Sequence, residues 1–574
     1  MKNFAARAAL LLLALSLVPS MSFGGGASEK PAAGASIGTA AKAATTEGGR
    51  MMEGNLYLGK GLPIVKEPVT YTMMISYALG KRDPNDMALY KERAQKTGVQ
   101  VKYDYVLATA VPERKATALA SGDMPDMMSN ILTGDDISTY GPSGSLLAVS
   151  DYIAKYCPRL QEAFSETPEI PRMIRNPDGK IYAFPAVNQF SLWPGSGKYI
   201  RTSQMINRKW LDKLGLAMPA TTDELTAVLK AFRDRDPNGN GKKDEIPYSF
   251  QYSDTWAGNC GETLFGSFGL IGPGINRFVR NGKATLAVMA DGYKDAIKYA
   301  RTLYAEGLID PEAFTQDASR FRAKGSAETA VYGLVNGWRG DVEVGPMRVG
   351  MEVGGTVEYI PLPPLKGPTG IRLWNNDIRG VTGNSLVITS KAKNPQVLMR
   401  YADEMYEPDN SVQEAYGMFG RQTRKLDGGK YQKIKEPEGW NAEEWLRDTT
   451  TRMLPVYIPN RIAEAIYGPA TPDGASTTKK DDSKYQFASV YAPYALEQKD
   501  VFPPVIMSRA EANEIARILP QIENAIKEQE VNWIMNRGDI DAQYDAFLKR
   551  LEGLQLSRLM AIYQGALQRW NAGS

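Results

Sequence analysis

The chain has 574 residues, more than one ordinary domain holds, and its 43% hydrophobic and 23% charged content is that of a globular protein. A net charge of +3 gives no electrostatic reason to expect nucleic acid. The sequence contains no histidine, which excludes His-based zinc sites and the Ser-His-Asp and Cys-His forms of nucleophilic catalysis.

Lys2 and Arg7 precede an almost unbroken apolar run at 8–18, followed by Pro19 and small residues. This pattern predicts a signal peptide over 1–22, because the run is too short to cross a bilayer. Residues 23–66 are rich in Gly, Ala, Ser and Thr and predict a flexible tether. A strand at 69–75, a helix at 83–97, an alternating strand at 99–105 and a helix near 112–120 then lead into GDMPDMMS. Alternation of this kind predicts an α/β lobe with a mainly parallel sheet, whose strand C-termini are the natural place for a ligand. A helix at 146–156 and the turn NPDGKIYAFP at 176–185 follow.

Residues 221–250 combine a helix, a loop and a strand. Thr221 and Glu224 have capping-box spacing, and Leu225, Val228, Leu229 and Phe232 form one apolar stripe. The loop then alternates oxygen donors with small residues: Asp234, Asp236, Asn238, Asn240, Asp244 and Glu245. Hard cations such as Ca²⁺ take six to eight oxygens, and two registers fit. One starts at Asp234 with Gly239 at the sharp turn and Glu245 last; the favoured one starts at Asp236 and uses Asn238, Asn240, the Lys242 carbonyl, Asp244 and Glu245. A polar turn that binds nothing is the alternative.

Further on come the aromatic segment YSDTWAGN, a helix at 291–306 and a strand and helix within 381–408. The polar stretch 471–484 reads as a surface excursion. The end is helical: Ser508 and Glu511 form a capping box, Pro520 should kink the helix they open, and Leu559, Tyr563, Leu567 and Trp570 lie on the last apolar face.

WLDKLGL at 210–216, DELTAVLKAF, DPNGNGKKDEIP and the closing run YDAFLKRLEGLQLSRLMAIYQGALQRW together resemble the large extracellular solute-binding proteins (family 1) of bacterial ABC importers, which include alginate-binding members. GDMPDMMS, DGKIYAFP and VTGNSLVITSKAKNPQVLMRYADEMYEP are similar to that family as well. The resemblance implies a periplasmic-binding-protein-like α/β fold: two α/β lobes with a hinge, an interlobe ligand cleft and a helical C-terminus. Lobe one would comprise 67–186 plus 381–425, and lobe two 187–380 plus 426–574. In the family this loop holds a structural calcium, through donors matching Asp236, Asn238, Asn240, Lys242, Asp244 and Glu245. Many members carry a lipid-anchoring cysteine ahead of a Gly-rich run; here Phe23 precedes Gly24, which argues against an anchor and for a free periplasmic or extracellular protein.

A sugar offers flat C–H faces and a rim of hydroxyls, so its site needs aromatic faces and planar polar groups. Of nine tryptophans, Trp193, Trp256, Trp338 and Trp374 sit in polar, loop-like surroundings. With Arg339, Asn375 and Asp377 beside two of them, and Ser129 and Asn130 facing them from lobe one, they form the candidate ligand set. The expected function is capture of an oligosaccharide by lobe closure and its delivery, as a monomer, to the permease subunits of an ABC importer, with no catalysis. An exported calcium-dependent glycosidase or lyase is the alternative. Cys157 and Cys260, assigned to different lobes, are expected not to pair.

Overall fold

The computed structural model describes residues 45–77, 82–189, 198, 200, 202–252, 264–271, 275–337, 343–345, 348–352, 354–376, 380–440, 442–467 and 483–573. The expected signal peptide lies outside them, as do Cys260 and any test of its pairing; Cys157 is a buried free thiol.

Most strands fall into two sheets. The first has six, in the order Tyr457–Ile458, Ala183–Asn188, Val381–Ile388, Met127–Ser129, Val69–Tyr77 and Val99–Leu107. Five run parallel, and Val381–Ile388 alone runs against its neighbours. The alternation read at 99–105 holds through Tyr103, with Val99, Val101 and Tyr103 buried and the residues between them exposed; it breaks at Tyr105, which is exposed while Val106 is buried. Helices Ala88–Thr97, Val111–Ser121 and Pro395–Glu404 belong to this layer, and Met73, Ile75, Leu386, Ile388 and Leu398 lie in its core. The helix expected at 146–156 begins only at Ser150, because Leu146 is taken up in a bridge to Thr389.

The second sheet has the order Tyr359–Pro361, Ser203–Asn207, Tyr332–Gly337 and Ile246–Ser249, with Ser203–Asn207 antiparallel to both neighbours. Its core joins Met205, Leu334 and Tyr248 to Leu225, Leu229 and Phe232 of helix Thr222–Asp234. The C-terminal helices Arg509–Ile534, Ile540–Gly553 and Leu556–Ala572 share this core. The first of them starts at the Ser508–Glu511 capping box and continues through Pro520 without ending there.

Two boundaries differ from expectation. Residues 45–57 are not tether: they form a three-stranded antiparallel sheet, and Leu56, Ile64 and Val65 reach into the first core. Residues 426–466 belong with the first sheet and not, as expected, with lobe two. Tyr457–Ile458 pairs with Ala183–Asn188, where the Val187 amide donates to Val456 O at 2.7 Å and the Gln189 amide to Ile458 O at 2.9 Å. Ile458, Ile462 and Ile466 bury themselves with Val412 and Tyr416, which decides where the segment goes.

Two of the crossings between the lobes share one geometry. The outward one leaves at Asn188, the carboxyl end of its strand, and enters the second sheet at Ser203, which pairs with Gly337 at the carboxyl end of its own strand. The return runs from Pro361, on the Ser203 side, to Val381, which pairs with Val187. Both crossings therefore join carboxyl edge to carboxyl edge, the edge at which open α/β sheets hold ligands.

Candidate functional site

The oxygen-rich loop is positioned by the elements on either side. Helix Thr222–Asp234 is started by Thr221, whose hydroxyl accepts from the Glu224 amide at 3.2 Å. The Glu224 carboxylate does not close the box on Thr221; it accepts the Ala220 amide at 2.7 Å instead. After the loop, Ile246–Ser249 is held parallel to Tyr332–Gly337. The loop is thus pinned at both ends by a buried helix and a paired strand.

Within it the chain turns sharply at Asp236 (φ 46°), Gly239 (φ 77°) and Gly241 (φ 73°), all in the left-handed region. The Asp236 carboxylate accepts the Gly239 and Gly241 amides at 2.9 and 3.1 Å. Asn238 Oδ1 accepts the Asn240 amide at 3.0 Å, and Asn240 Oδ1 accepts the Lys242 amide at 2.7 Å. Asp244 is the focus: Asn238 Nδ2 donates to it at 2.8 Å and Asn240 Nδ2 at 2.9 and 3.1 Å. The amide hydrogen bonds, that of Asn238 first, hold the Asp244 carboxyl below its ordinary range. Glu245 goes the other way, raised first by burial and then by the charges of Asp236 and Asp244. Its Oε1 is buried and has no hydrogen-bond partner. A buried, unpartnered carboxylate oxygen facing two further carboxylates is costly unless a cation neutralises it. Asp234, first donor of the rejected register, turns away to pair with Arg233 at 2.7 Å.

The candidate ligand set is dispersed. Trp193, Trp256, Trp338, Arg339 and Asp377 lie outside the described residues. Trp374 is in the second core, 1% exposed and stacked on Tyr491 at 4.3 Å between ring centroids, so the structure places it as packing rather than as a sugar platform. Asn375 beside it is half-buried, and Asn376 donates to Leu496 O at 2.8 Å. Ser129 and Asn130 do stand at the carboxyl end of a strand, but both are engaged. Ser129 Oγ donates to Met453 O at 2.7 Å, and Asn130 Nδ2 donates to the same carbonyl. The segment that brings the Met453 carbonyl to this edge is not among the expected site residues. Its signal was present in WNAEEW, two tryptophans in polar surroundings, but nothing local assigns that stretch to the first sheet.

A family model for bacterial extracellular solute-binding proteins matches residues 81–412. The chain is 32% identical over 529 residues to the fructooligosaccharide ABC transporter substrate-binding protein FusA of Streptococcus pneumoniae serotype 4, covering 90% of this chain and 93% of FusA. The structure of FusA in complex with kestose superposes with a TM-score of 0.73 at 30% identity, over 88% of this chain and all of that one. A structure described as a FusA EF-hand mutant, in complex with fructo-nystose, gives 0.72. An extracellular solute-binding protein from Bifidobacterium longum subsp. infantis gives 0.76 at 25% identity, over 88% of this chain and 98% of that one.

Proposed function

The chain belongs to the family of bacterial extracellular solute-binding proteins, and from that premise we propose that it captures an oligosaccharide between its two lobes and presents it to the permease subunits of an ABC importer. The observation that carries this reading is the pair of crossings between carboxyl edges. In both, the chain passes between the carboxyl edges of the two sheets, the edges at which open α/β sheets hold ligands, which supports a ligand site between the lobes. The sugar class comes from FusA, whose similarity spans nine-tenths of the chain. Among the described residues no helix is long and apolar enough to cross a membrane, and a secreted form released at the 1–22 signal peptide fits a binding protein working outside the cytoplasm.

The same reading assigns a structural calcium to the loop. Asp236, Asn238, Asn240, the Lys242 carbonyl, Asp244 and Glu245 would hold it, and the unpartnered Glu245 oxygen supports the assignment. Bound there, the ion would offset most of the charge of three carboxylates. The donors come from one segment of one lobe, so closure around a sugar need not disturb them.

Binding, rather than turnover, is the expected activity, as in the named relatives. Calorimetric titration with kestose and longer fructooligosaccharides should give saturable binding. Ligand at a hundredfold excess over Kd should stabilise the fold by about 2.7 kcal/mol. The sugar should be recovered unchanged after prolonged incubation. Cleaved product would favour the carbohydrate-active enzyme, and no binding to any oligosaccharide of a broad panel would sink the proposal.

A further inference from the structure

Residues 434–454 form an excursion from the first sheet that returns over the carboxyl ends of its strands. Two contacts fix where it lies. Met453 O receives the Ser129 hydroxyl at the end of Met127–Ser129. Asp448 Oδ1 receives Nε and Nη2 of Arg82, at 3.1 and 2.8 Å, just beyond the end of Val69–Tyr77. The edge from which both crossings depart is therefore roofed by this excursion, and the bare strand ends are not what a ligand would meet.

The roof is rigid from beneath. Thr450 and Thr451 are buried; Tyr90 OH and Thr451 Oγ1 are 2.6 Å apart, and the Thr451 amide donates to Tyr90 OH at 3.0 Å. Thr450 Oγ1 donates to Glu414 O at 3.2 Å, and Glu414 is itself paired with Arg93. On the outer side Trp445 is buried beneath the guanidinium of Arg421, 5.4 Å from the ring centroid. Trp440 packs edge-on against Trp445 at 5.5 Å and 71° yet remains 37% exposed. Of the six described tryptophans it alone stays exposed: Trp210, Trp374, Trp445 and Trp533 are buried, and Trp570 is half-buried beside Arg172.

We infer that Trp440 is a stacking platform for a sugar ring and that the excursion 434–454 is the lobe-one wall of the cleft. This rests on the oligosaccharide-binding reading above. An indole that is partly exposed and braced by a buried neighbour can offer a flat face to solvent, which is what the C–H face of a pyranose or furanose needs. Arg82 and Arg421 converge on one carboxylate, Asp448, which is 5% exposed, while their own side chains are 46% and 44% exposed. Asp448 thus orients two guanidinium forks whose remaining N–H groups can donate to ring hydroxyls beside the stacked face. Trp440 is the contact residue, and Asp448 is a positioning residue that acts through the two arginines.

The test is calorimetry on the full chain with kestose and longer fructooligosaccharides, comparing wild type with Trp440→Ala, Trp440→Phe and Arg82→Ala. Trp440→Ala should weaken binding at least tenfold with the melting temperature of the sugar-free protein unchanged, because the ring is exposed. Trp440→Phe, which keeps a flat face, should recover most of that loss. Arg82→Ala should weaken binding less than Trp440→Ala. Wild-type affinity in Trp440→Ala would overturn this inference and leave the binding-protein reading standing. Absence of wild-type binding to these sugars and to every oligosaccharide of a broad panel would overturn both.

Discussion

The two lobes bury polar groups by different means. Under the first sheet the helices carry charge inward. Arg93 and Glu414 form a pair at 3.2 Å, with side chains 4% and 0% exposed. Arg400 and Asp403 form another at 3.1 Å with both side chains at 0%, and Arg159 and Glu404 lie beside them. In the second core the polar groups are chiefly tyrosines, such as Tyr252 and Tyr293 donating to Glu530 at 2.6 and 2.8 Å. A cluster of like charges in that lobe, Asp236, Asp244 and Glu245, lies in a loop at its surface. The first lobe thus buries both members of its ion pairs, whereas the loop of the second gathers three carboxylates whose charge a cation from solution would offset. Their stabilities should respond to different perturbations.

The largest effect should come from Glu414→Ala. It leaves Arg93 buried and uncompensated, which costs about 3–5 kcal/mol, and removes the carboxylate that accepts Tyr90 OH at 3.1 Å and the Leu454 amide at 3.4 Å, at the end of the excursion that carries Trp440. A urea titration should show the loss, and the double variant Arg93→Met with Glu414→Leu should regain much of it. Failure of the double variant to regain stability would mean that the pair holds the segment by its hydrogen bonds rather than by mutual neutralisation.

Next in size is chelation. Removal of an ion present at a hundredfold excess over its Kd should cost about 2.7 kcal/mol, read as a lower melting temperature. Asp236→Ala combined with Asp244→Ala should abolish the response to chelator. An identical melt after verified removal of metal would reject the calcium assignment and reduce the contrast between the lobes to one of composition.

The Asp403 carboxyl offers a pH test confined to the first lobe. Burial raises it to about 6 from its ordinary 3.8, against the opposing pull of Arg400 and Arg159. A group raised on folding contributes most where it is protonated in both states, below about pH 4, and that contribution is lost as pH rises through about 6. Relative to Asp403→Asn, the wild type should therefore lose stability between pH 4 and 6, by at most about 1.4 kcal/mol per pH unit. A flat difference across that range would show that the arginines keep the carboxylate charged throughout.

The smallest effect is local. Thr221→Ala removes the cap of helix Thr222–Asp234 and should cost about 1 kcal/mol, while leaving the chelator response intact because the Thr221 hydroxyl caps the helix and takes no part in the loop.

Features set by neighbours in the chain were readable before any coordinates. The stripe Leu225, Val228, Leu229 and Phe232 is buried as its spacing requires. The Ser508–Glu511 box closes, and the alternation from Val99 through Tyr103 is a half-buried strand. The turns of the loop after Asp236 are local as well, since their hydrogen bonds run within ten residues. The boundary at 426 was not readable. Residues 434–454 have little regular structure, and their place depends on Tyr90, Glu414 and Ser129, each remote in sequence.

The tryptophans mark the limit most clearly. Trp374 sits in RLWNNDIRG and Trp440 in PEGWNAEEW, and both contexts look equally polar. Trp374 is nonetheless sealed against Tyr491, more than a hundred residues later, while Trp440 is left in the open by a neighbour that buries itself instead. Local sequence determines what a segment can form, through backbone torsions, caps and periodic burial. Which face of an aromatic ring remains free is decided by which distant surfaces close over it, and that is a property of the assembled fold alone.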